Sequence, residues 1–242
     1  MHLSIGVVAA IAPFLGVAQG LVGVNWNFPN DKSGGLNDVT FGFNMANAEH
    51  ESGYYYAQQF NFDGVKDVGY TGVQPRADKN GKSIVHAVFS SFVAGTKSTS
   101  ATCHDGADGG AGVSCALDFE GDYSHTYNNV IENVGGTTWR GTIVDTVTGT
   151  SRVIGEWTLP SGAGAMKTHQ LGFVEYYPWN AQPSHSCASL PKTQVAFYNP
   201  TSKTSGAGQG KVSKPYEYGD CKGEVAFSTS NISGGVTCQV GF

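Results

Sequence analysis

The chain has 242 residues, of which 40% are hydrophobic and 12% aromatic, enough for one all-β domain with a substantial core. Only 14% are charged, the formal net charge is -5 and the pI is near 5.7. Because phosphate binding needs clustered Lys and Arg, this balance argues against nucleic acid, and the scattered basic residues argue against an anionic membrane surface.

The N-terminal stretch predicts secretion. Residues 3–17 are apolar or small and uncharged, and residues 16–18 form a small-x-small cleavage site. The run is too short to span a bilayer, and no charged side chain precedes Asp31. We predict a signal peptide over residues 1–18, one mature domain over residues 19–242 and a secreted, extracellular protein. A buried N-terminal strand is the alternative. No later apolar stretch predicts a membrane span or lipid anchor.

Short strand patterns recur along the chain, and no window shows helical periodicity. Strands are predicted at residues 22–28, 39–44, 54–62, 69–74, 84–93, 117–127, 138–145, 152–159, 170–177, 194–198, 224–228 and 236–242. Residues 202–214 are rich in Gly, Ser and Lys and predict a mobile loop, and the sequon at Asn231 predicts glycosylation. We predict an all-β fold, a two-sheet β-sandwich or jelly roll with long Gly-rich loops.

Five cysteines in an oxidising compartment predict disulfides. Cys103 and Cys115 form the local pair, and the bridge stabilises the fold by about 3 kcal/mol through loop-closure entropy. For the second bridge we favour Cys187 with Cys221, which leaves Cys238 unpaired. Cys221 with Cys238 is an almost equal alternative.

The segment between Cys103 and Cys115 predicts a loop filled with Gly and Asp. Asp105, Asp108 and backbone carbonyls suit Ca²⁺, which takes about six to eight oxygen ligands. The alternative is a disulfide-pinned turn in which the Asp side chains bond to their own backbone. We favour the turn, so no cofactor is required and Ca²⁺ is the lesser possibility.

Several carboxylates are candidates for acid–base chemistry. Asp118, Glu120 and Asp122 alternate along one predicted strand, with successive Cα atoms about 6.6–6.8 Å apart, a spacing that suits an inverting glycosidase. Acidic residues on an exposed strand also prevent aggregation, and we favour that interpretation. Glu156 and Glu175 each stand alone in an apolar strand, where they either pair with an arginine or line a site. The catalytic candidates are Glu175, Glu120 and Asp118.

Aromatic rings beside hydrogen-bonding side chains form the strongest functional pattern. Rings stack on the C–H faces of sugars, and amide, carboxylate and guanidinium groups bond to the hydroxyls. The alternative is that these rings fill the space between two sheets. The predicted ligand-binding residues are Tyr70, Gln74, Arg76, His86, Trp139, Glu175 and Tyr177.

Five sequence segments carry a likeness to a known family. They are Gly69–Gln74, His86–Phe92, Gly112–Cys115, Thr138–Thr142 and Gly172–Tyr177. In these segments the chain resembles the domain-of-unknown-function family 3472, which comprises secreted fungal and bacterial proteins, and the likeness covers roughly residues 54–198. The resemblance implies a β-sandwich and a link to extracellular carbohydrate, and it supplies no catalytic residues.

These patterns together predict a secreted, monomeric protein that interacts with extracellular glycan, a cell-wall or host-surface polysaccharide. Two alternatives stay open. One is a polysaccharide hydrolase or lyase that uses Glu175, or Asp118 with Glu120, as acid and base. The other is a secreted effector or virulence protein that host cells recognise irrespective of catalysis.

Overall fold

The computed structural model describes residues 20–182 and 184–242, and the predicted signal peptide lies outside this part of the chain. The strands are β1 (Gly20–Asn27), β2 (Asp38–Asn44), β3 (Tyr54–Asn61), β4 (Val68–Lys79), β5 (Lys82–Ser91), β6 (Cys103–Ala107), β7 (Gly110–Glu120), β8 (Thr126–Gly135), β9 (Thr138–Asp145), β10 (Ser151–Thr158), β11 (His169–Tyr176), β12 (Thr193–Tyr198), β13 (Lys211–Val212), β14 (Tyr216–Glu217), β15 (Phe227–Ile232) and β16 (Gly235–Val240). Two 3₁₀ helices span Tyr177–Ala181 and Cys187–Ser189. No helix in the described ranges is long and apolar enough to cross a membrane.

The strands form two antiparallel sheets. The nine-stranded front sheet has the order β13-β1-β11-β3-β4-β5-β7-β6, with β14 also paired to β1. The seven-stranded back sheet has the order β10-β9-β8-β2-β12-β16-β15. The predicted all-β, two-sheet sandwich is confirmed.

The core between the sheets is aromatic because alternate residues of facing strands point inward. Trp157 of the back sheet stacks on Phe89 of the front sheet, with ring centroids 4.5 Å apart and planes at 14°. Phe60 lies parallel to Trp157 at 6.3 Å. Tyr56, on the same face of β3 as Phe60, is also fully buried. The neighbouring Tyr55 therefore belongs to the opposite face of the front sheet.

The structure contains both favoured disulfides. Cys103 bonds to Cys115 and Cys187 bonds to Cys221, so both predictions are confirmed. Cys238 is a free, buried cysteine. The alternative bridge from Cys221 to Cys238 is therefore wrong.

The segment between Cys103 and Cys115 is a β-hairpin, and its prediction as a loop is wrong. β6 pairs with β7, and Cys103 lies opposite Cys115. Asp108 (φ 48°) and Gly109 (φ 77°) form the turn with two successive positive φ angles. Asp-Gly accepts this conformation readily, and it matches the twist of a hairpin.

A further correction concerns the predicted strand over residues 117–127. β7 ends at Glu120, and a new strand, β8, begins at Thr126 and runs in the back sheet. Asp122 lies in the connecting turn, where its Oδ1 accepts a hydrogen bond of 2.8 Å from the Ser124 amide. The three acids Asp118, Glu120 and Asp122 therefore do not share one strand.

Loss of the hairpin disulfide should weaken the domain. We expect the double substitution Cys103→Ala/Cys115→Ala to lower the free energy of unfolding by about 3 kcal/mol, because the bridge restricts the unfolded chain. The bridge also packs on the back sheet, since a Cβ built on Gly155 would lie 2.5 Å from Cys103 Sγ. Urea unfolding measures the effect, with Cys238→Ala as the control that removes no bridge. A loss below about 1 kcal/mol would show that the hairpin is held by its strand pairing alone.

Candidate functional site

A cavity of about 630 Å³ lies on the face of the front sheet that points away from the back sheet. Its lining combines side chains from the centre of the sheet, from the β6–β7 hairpin and from the segment after β11. Six of the seven predicted ligand-binding residues line it: Tyr70, Gln74, Arg76, His86, Glu175 and Tyr177. The sheet therefore brings together residues that are far apart in sequence.

Strand register places the polar groups in a row across the sheet. Glu175 on β11 lies opposite Tyr55 on β3. On the next two strands, Gln74 of β4 lies opposite His86 of β5. His86 in turn lies opposite Asp118 of β7. Because Tyr56 of β3 lies opposite Val73 of β4, Tyr55 aligns with Gln74 in this antiparallel pair, and the row crosses the cavity floor from an acidic side chain to an imidazole.

Trp139 does not belong to the cavity, and its assignment to the ligand-binding surface is wrong. It lies on β9 of the back sheet and its side chain is only 1% exposed. Its ring packs on Phe62 in the core, with centroids 4.8 Å apart. The alternative for this residue, that its ring fills the space between the sheets, is confirmed.

Glu175 is the buried carboxyl group of the cavity. It is 5% exposed, and Asn180 Nδ2 donates a hydrogen bond of 2.7 Å to its Oε1. Asn180 lies in the 3₁₀ helix Tyr177–Ala181, which directly follows β11, so this short helix places the Asn180 amide beside Glu175. Burial raises the pKa of Glu175, and the negative charge of Asp108 raises it further. A carboxyl group whose pKa is raised by burial is a candidate for acid–base chemistry.

The raised pKa of Glu175 implies that the stability of the protein depends on pH. The folded protein retains the Glu175 proton at pH values where the unfolded chain has lost it, so this group costs stability as the pH rises above the ordinary value of 4.5. We expect Glu175→Gln to leave Tm unchanged at about pH 3.5, where the carboxyl group is protonated in the folded and unfolded states, and to raise Tm at about pH 7. Calorimetry across this range measures the difference. An equal Tm for the two proteins at all pH values would show that the folded-state pKa is ordinary.

Asp108 reaches the same cavity from the hairpin turn between β6 and β7. Asp108 as a residue is exposed, and partial desolvation of its carboxyl group raises its pKa. Its neighbour Asp105 is exposed and does not line the cavity. Within the described chain, the one cluster of three acidic, His or Cys ligands is His185 with Cys187 and Cys221, and both of its sulfur atoms are in a disulfide. Calcium binding by Asp105 and Asp108 stays a prediction.

Gln74, Arg76 and Tyr177 form a hydrogen-bonded group at one end of the cavity. Arg76 donates from Nη2 to Gln74 Oε1 at 2.7 Å and from Nη1 to the Tyr177 hydroxyl at 3.3 Å. Nη1 also donates to the Pro75 carbonyl at 3.1 Å. Gln74 Oε1 accepts the bond from Arg76, so Gln74 Nε2 is the atom of this amide that can donate a hydrogen bond to a ligand.

His86 and Asp118 form a second polar pair. His86 Nδ1 lies 2.6 Å from Asp118 Oδ1, and Asp118 is itself exposed. Burial lowers the pKa of His86, and the charge of Arg76 lowers it further, against the opposing effect of Asp118. A neutral imidazole that donates its Nδ1 proton to Asp118 leaves Nε2 as an acceptor.

The remaining carboxylate candidates lie elsewhere. Glu120 is exposed and is not among the cavity residues. Glu156 pairs with Arg140 of the neighbouring strand, whose Nη2 is 2.9 Å from Glu156 Oε2. Of the three catalytic candidates, Glu175 alone is both buried and part of the cavity lining.

Sequence reasoning missed Tyr55 and Asn180, which both line the cavity. The Tyr55 hydroxyl is buried and has no hydrogen-bond partner among the described residues, and burial raises its pKa well above the ordinary value. Strand alternation separates Tyr55 from its neighbours Tyr54 and Tyr56, which was the available signal. Nothing in the sequence around Asn180 predicts its contact with Glu175.

No family model and no curated protein matches the sequence. The resemblance to family 3472 therefore stays a prediction. Among solved structures, the fold is similar to scytalido-glutamic peptidase with a peptide-based transition-state analogue, at a TM-score of 0.50 and 12% identity over 93% of this chain and 100% of that chain. A second structure of that peptidase, with a transition-state analogue inhibitor, gives a TM-score of 0.49 at 14% identity over 92% and 98% of the two chains. SCP-B, a member of the eqolisin family of peptidases in complex with the tripeptide Ala-Ile-His, gives 0.43 at 12% identity over 93% and 100%.

Proposed function

We propose that the protein is a hydrolase that cleaves peptide bonds in the front-sheet cavity, with Glu175 as its acid–base group. The observation that carries the proposal is a buried carboxyl group of raised pKa that lines a large cavity beside amide donors. The shared fold with a structure named as a glutamic peptidase, which holds a peptide-based analogue, supports peptide as the substrate class.

The cavity side chains suit the following proton transfers. Ionised Glu175 takes a proton from a water molecule, and the water oxygen attacks the carbonyl carbon of the peptide bond. The carbonyl π electrons move to its oxygen, where the Gln74 amide nitrogen is the available donor. The protonated Glu175 then gives its proton to the amide nitrogen, the C–N bond breaks, and the products are a carboxylic acid and an amine.

The experiment is a cleavage screen. Purified protein is incubated with a peptide library between about pH 3 and 7, a range that brackets the raised pKa of a buried carboxyl group, and mass spectrometry identifies new termini. We expect cleavage at mildly acidic pH. Absence of new termini throughout this range would overturn the proposal.

Glycan binding is the second candidate, because Tyr70 and Tyr177 line the cavity beside Gln74 and Arg76. Rings next to amide and guanidinium donors are a suitable surface for a polysaccharide. A pull-down on insoluble cell-wall polysaccharides tests it. Retention of the wild type that is lost in Tyr70→Ala would support glycan as a ligand, and no retention would remove it.

We also propose that the protein functions outside the cell. Two disulfides support an oxidising compartment. Expression of the full chain in a eukaryotic secretory host tests this, with release of protein that starts near residue 19 as the expected result and retention of the uncleaved chain as the contrary one.

A further inference from the structure

Arg76 is the only arginine that lines the cavity, and the hydrogen-bond acceptors of its guanidinium are neutral. The other two arginines lie on the back sheet, where Arg140 pairs with Glu156 and Arg152 lies over the ring of Phe119. The Arg76 guanidinium donates to the Pro75 carbonyl, the Gln74 amide oxygen and the Tyr177 hydroxyl. Over residues 20–182 and 184–242, no carboxylate forms an ion pair with it.

The acidic residues nearest to Arg76 in the sheet either pair with another residue or lie too far from Arg76 to pair with it. Asp78, two residues further along β4, lies 2.6 Å from His50. Glu120 lies two strands away, since Arg76 is opposite Ile84 and Ile84 is opposite Glu120, and two strand spacings are about 9.6 Å. The guanidinium thus keeps an uncompensated positive charge, which also contributes, after burial, to the lowered pKa of His86.

The charges of the cavity are separated along the strands. Asp108 lies in the hairpin turn, beyond the pair formed by Ser91 and Val113, whereas Arg76 lies near the other end of β4. The lining of β4 extends from Tyr70 to Arg76, six residue steps or about 20 Å. This length accommodates an extended peptide of about six residues.

We propose that Arg76 binds an acidic side chain of the substrate and makes the enzyme selective for peptides with Asp or Glu close to the cleaved bond. A guanidinium held by neutral acceptors and facing a cavity is matched by a carboxylate, which it binds with paired, charge-assisted hydrogen bonds. The position follows from register. Gln74 lies in the same row as Glu175, and Arg76 is two residues further along β4, about 6.6 Å away. In an extended peptide that distance equals two residues, so the acidic residue is placed within two positions of the cleaved bond.

This inference rests on the proposed peptidase function, and its test separates the two. The substrates are two peptides that differ only by Glu or Gln within two residues of a bond that the enzyme cleaves. We expect kcat/KM to be about 10–100-fold higher for the Glu peptide, the range expected of a charge-assisted hydrogen bond. In Arg76→Met this ratio should fall to about one. In Arg76→Lys it should be partly retained, because lysine keeps the positive charge but cannot form the paired hydrogen bonds of a guanidinium.

Arg152→Met is the control, because it removes a cation from the back sheet and should leave the ratio as in the wild type. The ratio is the readout because Arg76 also holds Gln74, so loss of overall rate in Arg76→Met is expected and decides nothing about selectivity. Equal kcat/KM for both peptides in the wild type would overturn the inference.

A binding measurement tests the role of Arg76 independently of catalysis. Calorimetry with the full-length Glu175→Gln protein should show tighter binding of the Glu peptide, and this preference should vanish when Arg76→Met is added. If the wild type cleaves no peptide and this preference is still present, the proposed function fails and the carboxylate subsite stands. Binding of oligogalacturonate without binding of the acidic peptide would overturn the peptide assignment.

Discussion

Glu175→Gln should lower kcat/KM for peptide hydrolysis by about 10³-fold, the middle of the range that a positioned acid–base group contributes. Gln is nearly isosteric with Glu and retains an oxygen that accepts the Asn180 hydrogen bond, so the fold and cavity should persist. It cannot take a proton from water at any working pH. Steady-state assays on a cleaved library peptide, together with Tm, measure the change.

Glu224→Gln is the matched control, because its carboxylate is exposed and lies outside the cavity. It should keep wild-type kcat/KM within about twofold, which is about 0.4 kcal/mol in activation free energy. Activity of Glu175→Gln within tenfold of the wild type would remove Glu175 from the acid–base role. Since Glu175→Gln is expected to raise Tm at neutral pH, loss of activity with loss of folding would also contradict this account.

Trp157→Ala should lower the free energy of unfolding by about 3–5 kcal/mol, because it removes a large, fully buried ring from the centre of the core. The ring stacks on Phe89 at 4.5 Å and meets Phe62 edge-on at 6.1 Å. For a domain of this size, the loss corresponds to a fall in Tm of about 6–20 °C. Urea unfolding at about 25 °C measures the loss of unfolding free energy, and calorimetry measures the fall in Tm.

Trp157→Phe is the control for ring size. It keeps an aromatic ring and removes an indole N–H that has no hydrogen-bond partner in the part of the chain that the structure describes, so its cost in unfolding free energy should be less than half that of Trp157→Ala. Below its Tm, Trp157→Ala should retain peptide cleavage, since the cavity lies on the other face of the front sheet. A loss below about 1 kcal/mol would show that the core relaxes around the vacancy.

Strand alternation predicted much of the site because it is a local property. Tyr70, Gln74 and Arg76 are separated by even numbers of residues, so any strand through them places all three on one face. Alternation does not specify which strands become neighbours. That β11 lies beside β3, and so brings Glu175 to this face, is decided by packing between segments more than a hundred residues apart.

Trp139 also shows that alternation alone does not specify the place of a strand in the fold. Its inward direction on β9 is consistent with alternation, but β9 belongs to the back sheet, and sheet membership is a long-range property. The hairpin between Cys103 and Cys115 was missed although Asp108-Gly109 is a strong local turn signal. The break between β7 and β8 was missed because the alternation of residues 117–127 continues across a turn that joins two sheets.

The most direct test of the account compares the pKa of Glu175 with the pH dependence of catalysis. Carbon-13 NMR of protein labelled at the glutamate carboxyl carbons, assigned by the signal missing in Glu175→Gln, gives the pKa of the free protein. The acid limb of kcat/KM gives the pKa of the essential base. We predict that Glu175 titrates above its ordinary value of 4.5 and that the two midpoints coincide. Titration of Glu175 at or below 4.5, or an acid limb that follows another midpoint, would contradict the account.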